Sequence, residues 1–189
     1  MLITKRATTC GLVLLGVLGL GGCGSPEQRP QESGSPAQLP ADSSTYGRNA
    51  SFTVNGALIT LVNGVSSTPI ENSAAMTTTR YLGGEAQGDL NGDGLEDLAF
   101  WISQDPGGSG TFYYVVVALK HPAGYTTTNA FLVGDRIVPE GIQIRADARE
   151  LHVNFVGRTR DEPMTAPPSE PSVLLLKVTP SGVLEGLMS

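Results

Sequence analysis

The sequence lacks the residues that most often cross-link small secreted domains or load them with zinc. It has only two cysteines, Cys10 and Cys23. No cysteine follows residue 23, so the long remainder of the chain cannot form a disulfide framework. It also has only two histidines, His121 and His152, and neither has a second histidine or a cysteine at ligand spacing. A zinc site is therefore not expected, and a hydrophobic core or another metal must stabilise the fold.

Positive charge is also scarce. The chain has 12 basic and 18 acidic residues, for a formal net charge of −6. An acidic surface disfavours contact with phosphate backbones and electrostatic docking on anionic lipid. We therefore expect no nucleic-acid partner.

Signatures of catalysis are missing as well. The chain has no G-x-S-x-G motif, and Gly108-Ser109-Gly110 lacks the spacing of a nucleophile elbow. A Ser-His-Asp triad assembled from distant positions stays open, because such triads do not depend on chain order. The sequence favours a non-enzymatic role over an enzymatic one.

The N-terminus is where the chain has a long apolar run. Lys5 and Arg6 precede an almost uninterrupted apolar segment, residues 7–20. That segment has the length of the apolar part of a signal peptide and is short for a helix that must cross about 30 Å of hydrocarbon. It predicts a targeting segment over residues 1–22.

This run ends in Leu20-Gly21-Gly22-Cys23, which resembles the lipobox of bacterial lipoproteins. The resemblance implies cleavage before Cys23 and attachment of diacylglycerol and palmitate there. The alternative is an ordinary signal peptide with an incidental cysteine. A lipoprotein would be held in the cell envelope by its acyl chains, with the membrane as a partner. By the same resemblance, Gly24 in place of Asp favours the outer membrane if the source cell has two membranes.

Composition divides the rest of the chain into a tether and one domain. Residues 23–45 hold the candidate lipidation site and a segment rich in Pro, Ser and Gln with a single sizeable apolar residue, Leu39. Such a segment cannot offset the entropy of ordering, so it predicts a disordered tether. Residues 46–189 have the length of a single domain.

Short β-branched or aromatic runs bounded by Gly, Pro, Asn and Asp recur through residues 46–189. This pattern predicts an all-β fold, a single small antiparallel sandwich or barrel-like domain with hairpins. Asn55-Gly56 is the residue pair that a two-residue hairpin turn favours. Phe112 to Leu119 is apolar on both faces, which is typical of a central strand covered on both sides.

The alternation along these runs predicts a core. The expected members are Phe100, Ile102, Phe112, Tyr114, Val116, Phe131, Ile142, Ile144, Val153, Phe155, Leu174 and Leu176. Trp101 is compatible with either face of its strand.

One acidic loop carries the only clear site chemistry. In GDLNGDGLEDLAF, side-chain oxygens fall at loop positions one, three, five and nine, with a glycine at six and a carbonyl available at seven. Hard cations such as calcium take six to eight oxygen ligands from loops of this kind. The predicted ligands are Asp89, Asn91, Asp93, the carbonyl of Leu95, and Asp97, with Gly94 supporting the turn. The alternative is a pair of tight turns with solvated acids. Magnesium is disfavoured because it demands near-ideal octahedral geometry.

The loop, with the pattern DxNxDGxxD over residues 89–97, resembles those of integrin-type or FG-GAP propeller repeats. An EF-hand has a glutamate ligand at loop position twelve, whereas this loop has Phe100 there. The pattern occurs once, so the resemblance implies a calcium-loop geometry and not a propeller. The longer block GDLNGDGLEDLAFWISQDPGGSGTFYY is similar to a group of uncharacterised bacterial secreted lipoproteins, which implies no established activity.

Together these features predict a lipid-anchored, calcium-stabilised β domain of the cell envelope. We expect it to act as a non-enzymatic binding module for a protein or glycan partner. The alternative is an envelope hydrolase that uses acids near the metal loop, around Asp97 and Asp105.

Overall fold

A computed structural model describes residues 43–187 of the chain. The predicted signal peptide, Cys23 and nearly all of the predicted tether lie outside these residues. All the residues described below belong to one compact unit within Gln38–Ser189.

The described part of the chain is almost entirely β-structure. One short helix, α1 (Ser43–Gly47), begins within the last residues of the predicted tether. The strands are β1 (Ser51–Val54), β2 (Ala57–Thr60), β3 (Val65–Pro69), β4 (Met76–Gly88), β5 (Asp97–Asp105), β6 (Phe112–His121), β7 (Gly124–Thr127), β8 (Phe131–Asp135), β9 (Val138–Arg145), β10 (Glu150–Gly157), β11 (Glu170–Val178) and β12 (Leu184–Gly186).

These strands form three antiparallel sheets. The largest has six strands in the order β3-β4-β5-β6-β7, with β8 also paired to β6. A four-stranded sheet has the order β12-β11-β10-β9, and β1 and β2 form a two-stranded sheet. The all-β prediction is confirmed, and within residues 43–187 the sheets form a sandwich without a closed barrel. No helix in that range is long and apolar enough to span a membrane.

The six-stranded sheet is the middle layer because its two central strands are apolar on both faces. Alternate residues of β5 point to opposite sides: Phe100 packs with the β1–β2 hairpin, and Trp101 packs with the four-stranded sheet. Val116 and Val117 of β6 divide in the same way. The continuous apolar run of β6 therefore has the central position that its sequence predicts.

The predicted core is confirmed in outline. Seven of its members are buried: Phe100, Ile102, Tyr114, Val116, Ile142, Val153 and Leu176. Five are only partly buried and pack against the two core clusters: Phe112, Phe131, Ile144, Phe155 and Leu174. Trp101 is buried on the side of the four-stranded sheet.

Turn chemistry explains the first hairpin. Val54 pairs with Ala57, and the two residues between them, Asn55 and Gly56, have φ of 50° and 83°. A two-residue turn of this kind requires positive φ at both central positions, which Asn and Gly tolerate best. The Asn-Gly pair thus sets the register of β1 and β2.

Strand β4 extends beyond the strand that its sequence pattern predicts. The pattern predicts a strand over residues 76–82, whereas β4 extends to Gly88. Its pairing with β5 shifts register twice, between Tyr81 and Gly83 and again between Gly83 and Ala86. Gly83 and Gly84 have φ of 77° and 63°. These bulges let pairing continue through a glycine pair that ordinarily marks the end of a strand.

Candidate functional site

The acidic loop joins two neighbouring strands of the central sheet. Strand β4 ends at Gly88 and β5 begins at Asp97, and these two residues are paired. The loop therefore closes a hairpin between strands that pair directly. Its ends are fixed by the sheet, which limits the conformations available to the acidic residues between them.

Asp89 organises the turn through both of its carboxylate oxygens. Oδ1 accepts the N–H of Gly92 at 2.6 Å, and Oδ2 accepts the N–H of Gly94 at 2.9 Å. Desolvation is the largest influence on the pKa of Asp89 and raises it. The backbone donors at Gly94, Gly92 and Asp93, with the charge of Arg149, outweigh desolvation, so the pKa lies below its ordinary value. Asp89 is thus held as a carboxylate.

The two glycines that donate to Asp89 have left-handed backbone conformations. Gly92 has φ of 83° and Gly94 has φ of 82°. Side chains other than glycine rarely adopt these angles. The bend at loop position six therefore depends on Gly94 in this structure.

Asn91 and Asp93 make the next two turns. The N–H of Asp93 donates to Oδ1 of Asn91 at 2.9 Å, and the N–H of Leu95 donates to Oδ1 of Asp93 at 2.8 Å. The side chains also meet, because Nδ2 of Asn91 donates to Oδ2 of Asp93 at 3.1 Å. Side-chain hydrogen bonds to the backbone two residues on are typical of Asn and Asp in turns. Loop positions one, three and five, which are Asp89, Asn91 and Asp93, are thereby folded into one compact loop.

Asp97 is fully buried and ties the loop to the sheet. Its Oδ2 accepts the N–H of Leu90 at 2.9 Å, and its Oδ1 accepts the N–H of Lys120 at 2.8 Å. Burial raises the pKa of Asp97, and the charges of Asp93 and Asp89 raise it further, while the two backbone donors oppose the shift. Spacing along the chain predicts Asp97 as a ligand but gives no hint of its bond to β6.

The donor chemistry of the loop fits a hard cation. An ionised carboxylate offers about four lone-pair sites, so these hydrogen bonds do not use the full acceptor capacity of Asp89, Asp93 or Asp97. Carboxylate and amide oxygens are the ligands that calcium prefers. Within residues 43–187, no three or more His, Cys, Asp or Glu side chains are arranged as a ready metal-binding group. The predicted lipidation site, Cys23, lies outside these residues.

Arg149 is a loop neighbour that sequence reasoning missed. It lies in the turn between β9 and β10, with φ of 54°. Its guanidinium packs on Gly92, where a Cβ would fall 2.3 Å from Cζ. The only sequence signal is a basic residue in a predicted hairpin turn. Its place over the loop depends on how the four-stranded sheet packs on the central one.

A groove of about 630 Å³ adjoins the loop. Leu90 and Leu119 form its buried floor. Its walls come from the loop, from His121 of β6 and Thr126 of β7, from the turn between β9 and β10, and from the turn between β11 and β12. Three connections that are distant in sequence thus meet the paired strands β6 and β7 at this groove.

A smaller hollow of about 340 Å³ lies at the bulged part of β4. Trp101 lines it and is 2% exposed. Its indole N–H is buried without a hydrogen-bond partner among the described residues. Gly84 covers the ring so closely that a Cβ there would lie 2.8 Å from Cδ1.

The acids named for a hydrolase are not brought together. Asp97 and Asp105 lie at opposite ends of β5, about 26 Å apart at the usual rise per strand residue. Oδ1 of Asp105 accepts the N–H of Gly107 at 2.8 Å, which is a turn-capping role. Of the two histidines, His121 lines the groove, and Nε2 of His152 lies 3.1 Å from Oε2 of Glu150.

Scans against protein-family models, curated proteins and solved structures found no match to this chain.

Proposed function

We propose that this chain is a lipid-anchored protein of the cell envelope whose β domain holds calcium in loop 89–97 and acts as a non-enzymatic interaction module. Calcium would have a structural role. The partner would be a protein or a glycan, and attachment to the membrane would be through Cys23.

The arrangement of the loop carries the metal part of this proposal. The side chains of Asp89, Asn91 and Asp93 accept backbone N–H groups and fold the loop into one turn. Asp97, which accepts the N–H of Leu90, lies at the strand end beside them. Carboxylates gathered in this way repel one another unless a cation compensates them. Asp89, Asn91, Asp93, Leu95 and Asp97 are the residues that would hold the ion.

A structural ion at this point would stabilise more than the loop. Asp97 accepts hydrogen bonds from Leu90 in the loop and from Lys120 at the end of β6. Ordering the loop therefore also orders the end of β6 and the buried Leu90. At free calcium about 100-fold above the dissociation constant, linkage adds about 2.7 kcal/mol to the free energy of unfolding. Outside the cytoplasm, even a weak site of about 10⁻⁴ to 10⁻³ M suffices for this.

The lipoprotein part rests on the sequence of the N-terminus. Lys5, Arg6, the apolar run and Leu20-Gly21-Gly22-Cys23 form one consistent signal. A diderm source would favour the outer membrane. Anchoring through acyl chains suits an acidic domain, because its charge offers no attraction to anionic lipid.

The non-enzymatic part is supported by what surrounds the loop. The groove beside it is open and has an aliphatic floor, Leu90 and Leu119. The two acids of the alternative hydrolase, Asp97 and Asp105, lie at opposite ends of β5, and both accept backbone N–H groups. These features favour binding over bond cleavage.

Thermal unfolding tests the metal site. The full chain in non-ionic detergent micelles is melted with calcium and with chelator, and we expect calcium to raise the melting temperature by several degrees. Asp93→Ala should remove this shift because it deletes a ligand. Asp147→Ala is the matched control, since Asp147 is an exposed acid of the β9–β10 turn, paired only to Arg145 at 3.6 Å.

Identical melting curves with calcium and with chelator would refute the metal site. A shift that survives Asp93→Ala would place the ion elsewhere. A magnesium titration of the same sample should give little or no shift if the loop prefers the larger ion.

A further inference from the structure

The β1–β2 hairpin leaves a row of aliphatic side chains on its outer face. Ile59 and Leu61 are 9% and 1% exposed and pack in the core, whereas Leu58 and Val62 are 71% and 66% exposed. Successive side chains of an extended chain point to opposite faces, so Leu58 and Val62 lie on the side away from the core. Val65 forms a β-bridge with Val62 and is 38% exposed. We call Leu58, Val62 and Val65 the outer stripe.

The segment that contains the outer stripe carries no charge. Residues 49–70 contain no Asp, Glu, Lys, Arg or His, although the whole chain has 12 basic and 18 acidic residues. Charged side chains are the groups that are most costly to bring to the apolar part of a bilayer, whereas aliphatic side chains gain by leaving water. An exposed hairpin that has aliphatic side chains and no charge is therefore suited to contact lipid.

The charged side chains beside the outer stripe are compatible with a bilayer surface. Arg80 of β4 pairs with Val65, and the side chain of Arg48 lies beside Gly64. Long basic side chains can reach lipid phosphates while their stems stay on apolar surface. Glu85, an acid farther along β4, accepts the hydroxyl of Tyr81.

Polar groups on the outer face of the hairpin are partly satisfied within the domain. Oγ of Ser51 and Oγ1 of Thr60 lie 2.9 Å apart and share a hydrogen bond. This pairing lowers the cost of taking the two hydroxyls out of water. Within residues 43–187, however, β2 pairs only with β1, so its other edge still needs water or lipid headgroups as hydrogen-bond partners. Contact with lipid is therefore limited to the interfacial depth of the bilayer.

The outer stripe lies next to the start of the described chain. The N–H of Gly64 donates to the carbonyl of Arg48 at 2.7 Å, and the N–H of Asn63 donates to Oδ1 of Asn49 at 3.0 Å. These bonds hold the segment after α1 against the turn between Val62 and Val65. A disordered tether of about 20 residues before α1 gives the two sites that it links an effective concentration of about a millimolar. A lipid contact that is weak by itself then becomes populated.

We propose that the outer stripe of the β1–β2 hairpin rests on the lipid bilayer at interfacial depth, so that the domain lies against the membrane surface through Leu58, Val62 and Val65. The contact depends on apolar burial and does not require anionic lipid. This inference rests on the proposed function, because acylation of Cys23 supplies the effective concentration. It does not require calcium.

Quenching of a fluorescent label by nitroxide lipid tests the contact on the acylated chain in phosphatidylcholine vesicles. Processing and acylation leave no free thiol, so Val62→Cys introduces a single labelling site. Val173→Cys is the matched control, because Val173 is 59% exposed in β11 and its neighbour Leu174 packs against the core on the other side of the central sheet. With a nitroxide near the headgroup end of the acyl chain, the label at position 62 should lose about half of its emission and the label at position 173 almost none.

A charge placed in the outer stripe should remove the contact. Leu58→Asp, combined with the label at position 62, should reduce quenching to the level of the position 173 control, because an aspartate is costly to bring to the bilayer interior. Val173→Asp with the same label at position 62 should leave quenching unchanged. Both sites are exposed, and each variant is melted in parallel to show that it is folded.

Three outcomes would overturn the inference. They are equal quenching of the labels at positions 62 and 173, no quenching at position 62, and quenching that survives Leu58→Asp. Shielding of the position 62 label from iodide without quenching by nitroxide lipid would assign the outer stripe to a protein contact instead. Flotation of the same samples separates this inference from the proposed anchor. A chain that floats with the vesicles but is not quenched rejects the outer stripe alone, whereas a chain that does not float rejects the anchor and the inference with it.

Discussion

The guanidinium of Arg149 lies directly against the α-carbon of Gly92, in the middle of the acidic loop. Its charge helps to hold the pKa of Asp89 below the ordinary value. One residue of the β9–β10 turn therefore supplies positive charge to a loop of the central sheet. The loop is partly compensated before any metal binds.

This contact predicts competition with a divalent ion. A positive charge beside the loop opposes a second cation, so Arg149→Gln should raise calcium affinity by about three- to ten-fold. In chelator the same variant should melt slightly lower, because the acids lose their compensating charge. Calorimetric titration with calcium measures the first effect. Unchanged or weaker affinity would mean that the guanidinium does not oppose the ion.

Asp97 should behave differently from the other acids of the loop. Asp97→Ala leaves the buried N–H of Leu90 and the partly buried N–H of Lys120 without an acceptor, so we expect a loss of about 2–5 kcal/mol in the free energy of unfolding, even in chelator. Asp93→Ala should have little effect in chelator, because Asp93 is exposed. Urea unfolding in chelator compares the two variants. Equal stabilities would contradict the conclusion that Asp97 ties the loop to the sheet.

The glycine pair in β4 gives a prediction about packing. Gly84→Ala should destabilise the domain by about 1–3 kcal/mol, because Gly84 has φ of 63° and a Cβ would lie 2.8 Å from the Trp101 ring. Gly56→Ala is the matched control, since Gly56 has φ of 83° but open space around it. Its cost should be about 1 kcal/mol, from backbone strain alone. If the two losses in the free energy of unfolding are equal, the close approach of Gly84 to Trp101 adds nothing to the cost of the substitution.

The lipid anchor is tested by Cys23→Ser. The variant should lose incorporation of labelled palmitate and should leave the membrane fraction, because the thiol that accepts the diacylglycerol is removed. Cys10→Ser is the matched control and should stay acylated, since Cys10 lies in the segment predicted to be removed. Continued acylation of the Cys23→Ser protein would disprove the lipoprotein assignment.

Much of the fold follows from short-range patterns. The apolar run of β6 predicts a central strand, and the positive φ of Asn55 and Gly56 places the first hairpin. Strands with few apolar residues cannot be predicted from such patterns. Strand β3 is largely exposed at the edge of its sheet, and its residues, VSSTP, carry almost no hydrophobic signal. Such strands form because a neighbour offers hydrogen bonds, which is information that the strand itself does not contain.

The site likewise combines features set by neighbouring residues with contacts set by the tertiary structure. The spacing of Asp89, Asn91 and Asp93 and the position of Gly94 are local properties, because each turn bond spans two to five residues. The sequence by itself therefore determined which residues form the acidic loop. Tertiary structure decided that Asp97 would accept the N–H of Lys120, 23 residues away, and that Arg149 would cover Gly92. It also decided that three separate connections and the paired strands β6 and β7 would line one groove, because these contacts depend on strand order, register and the packing of one sheet on another.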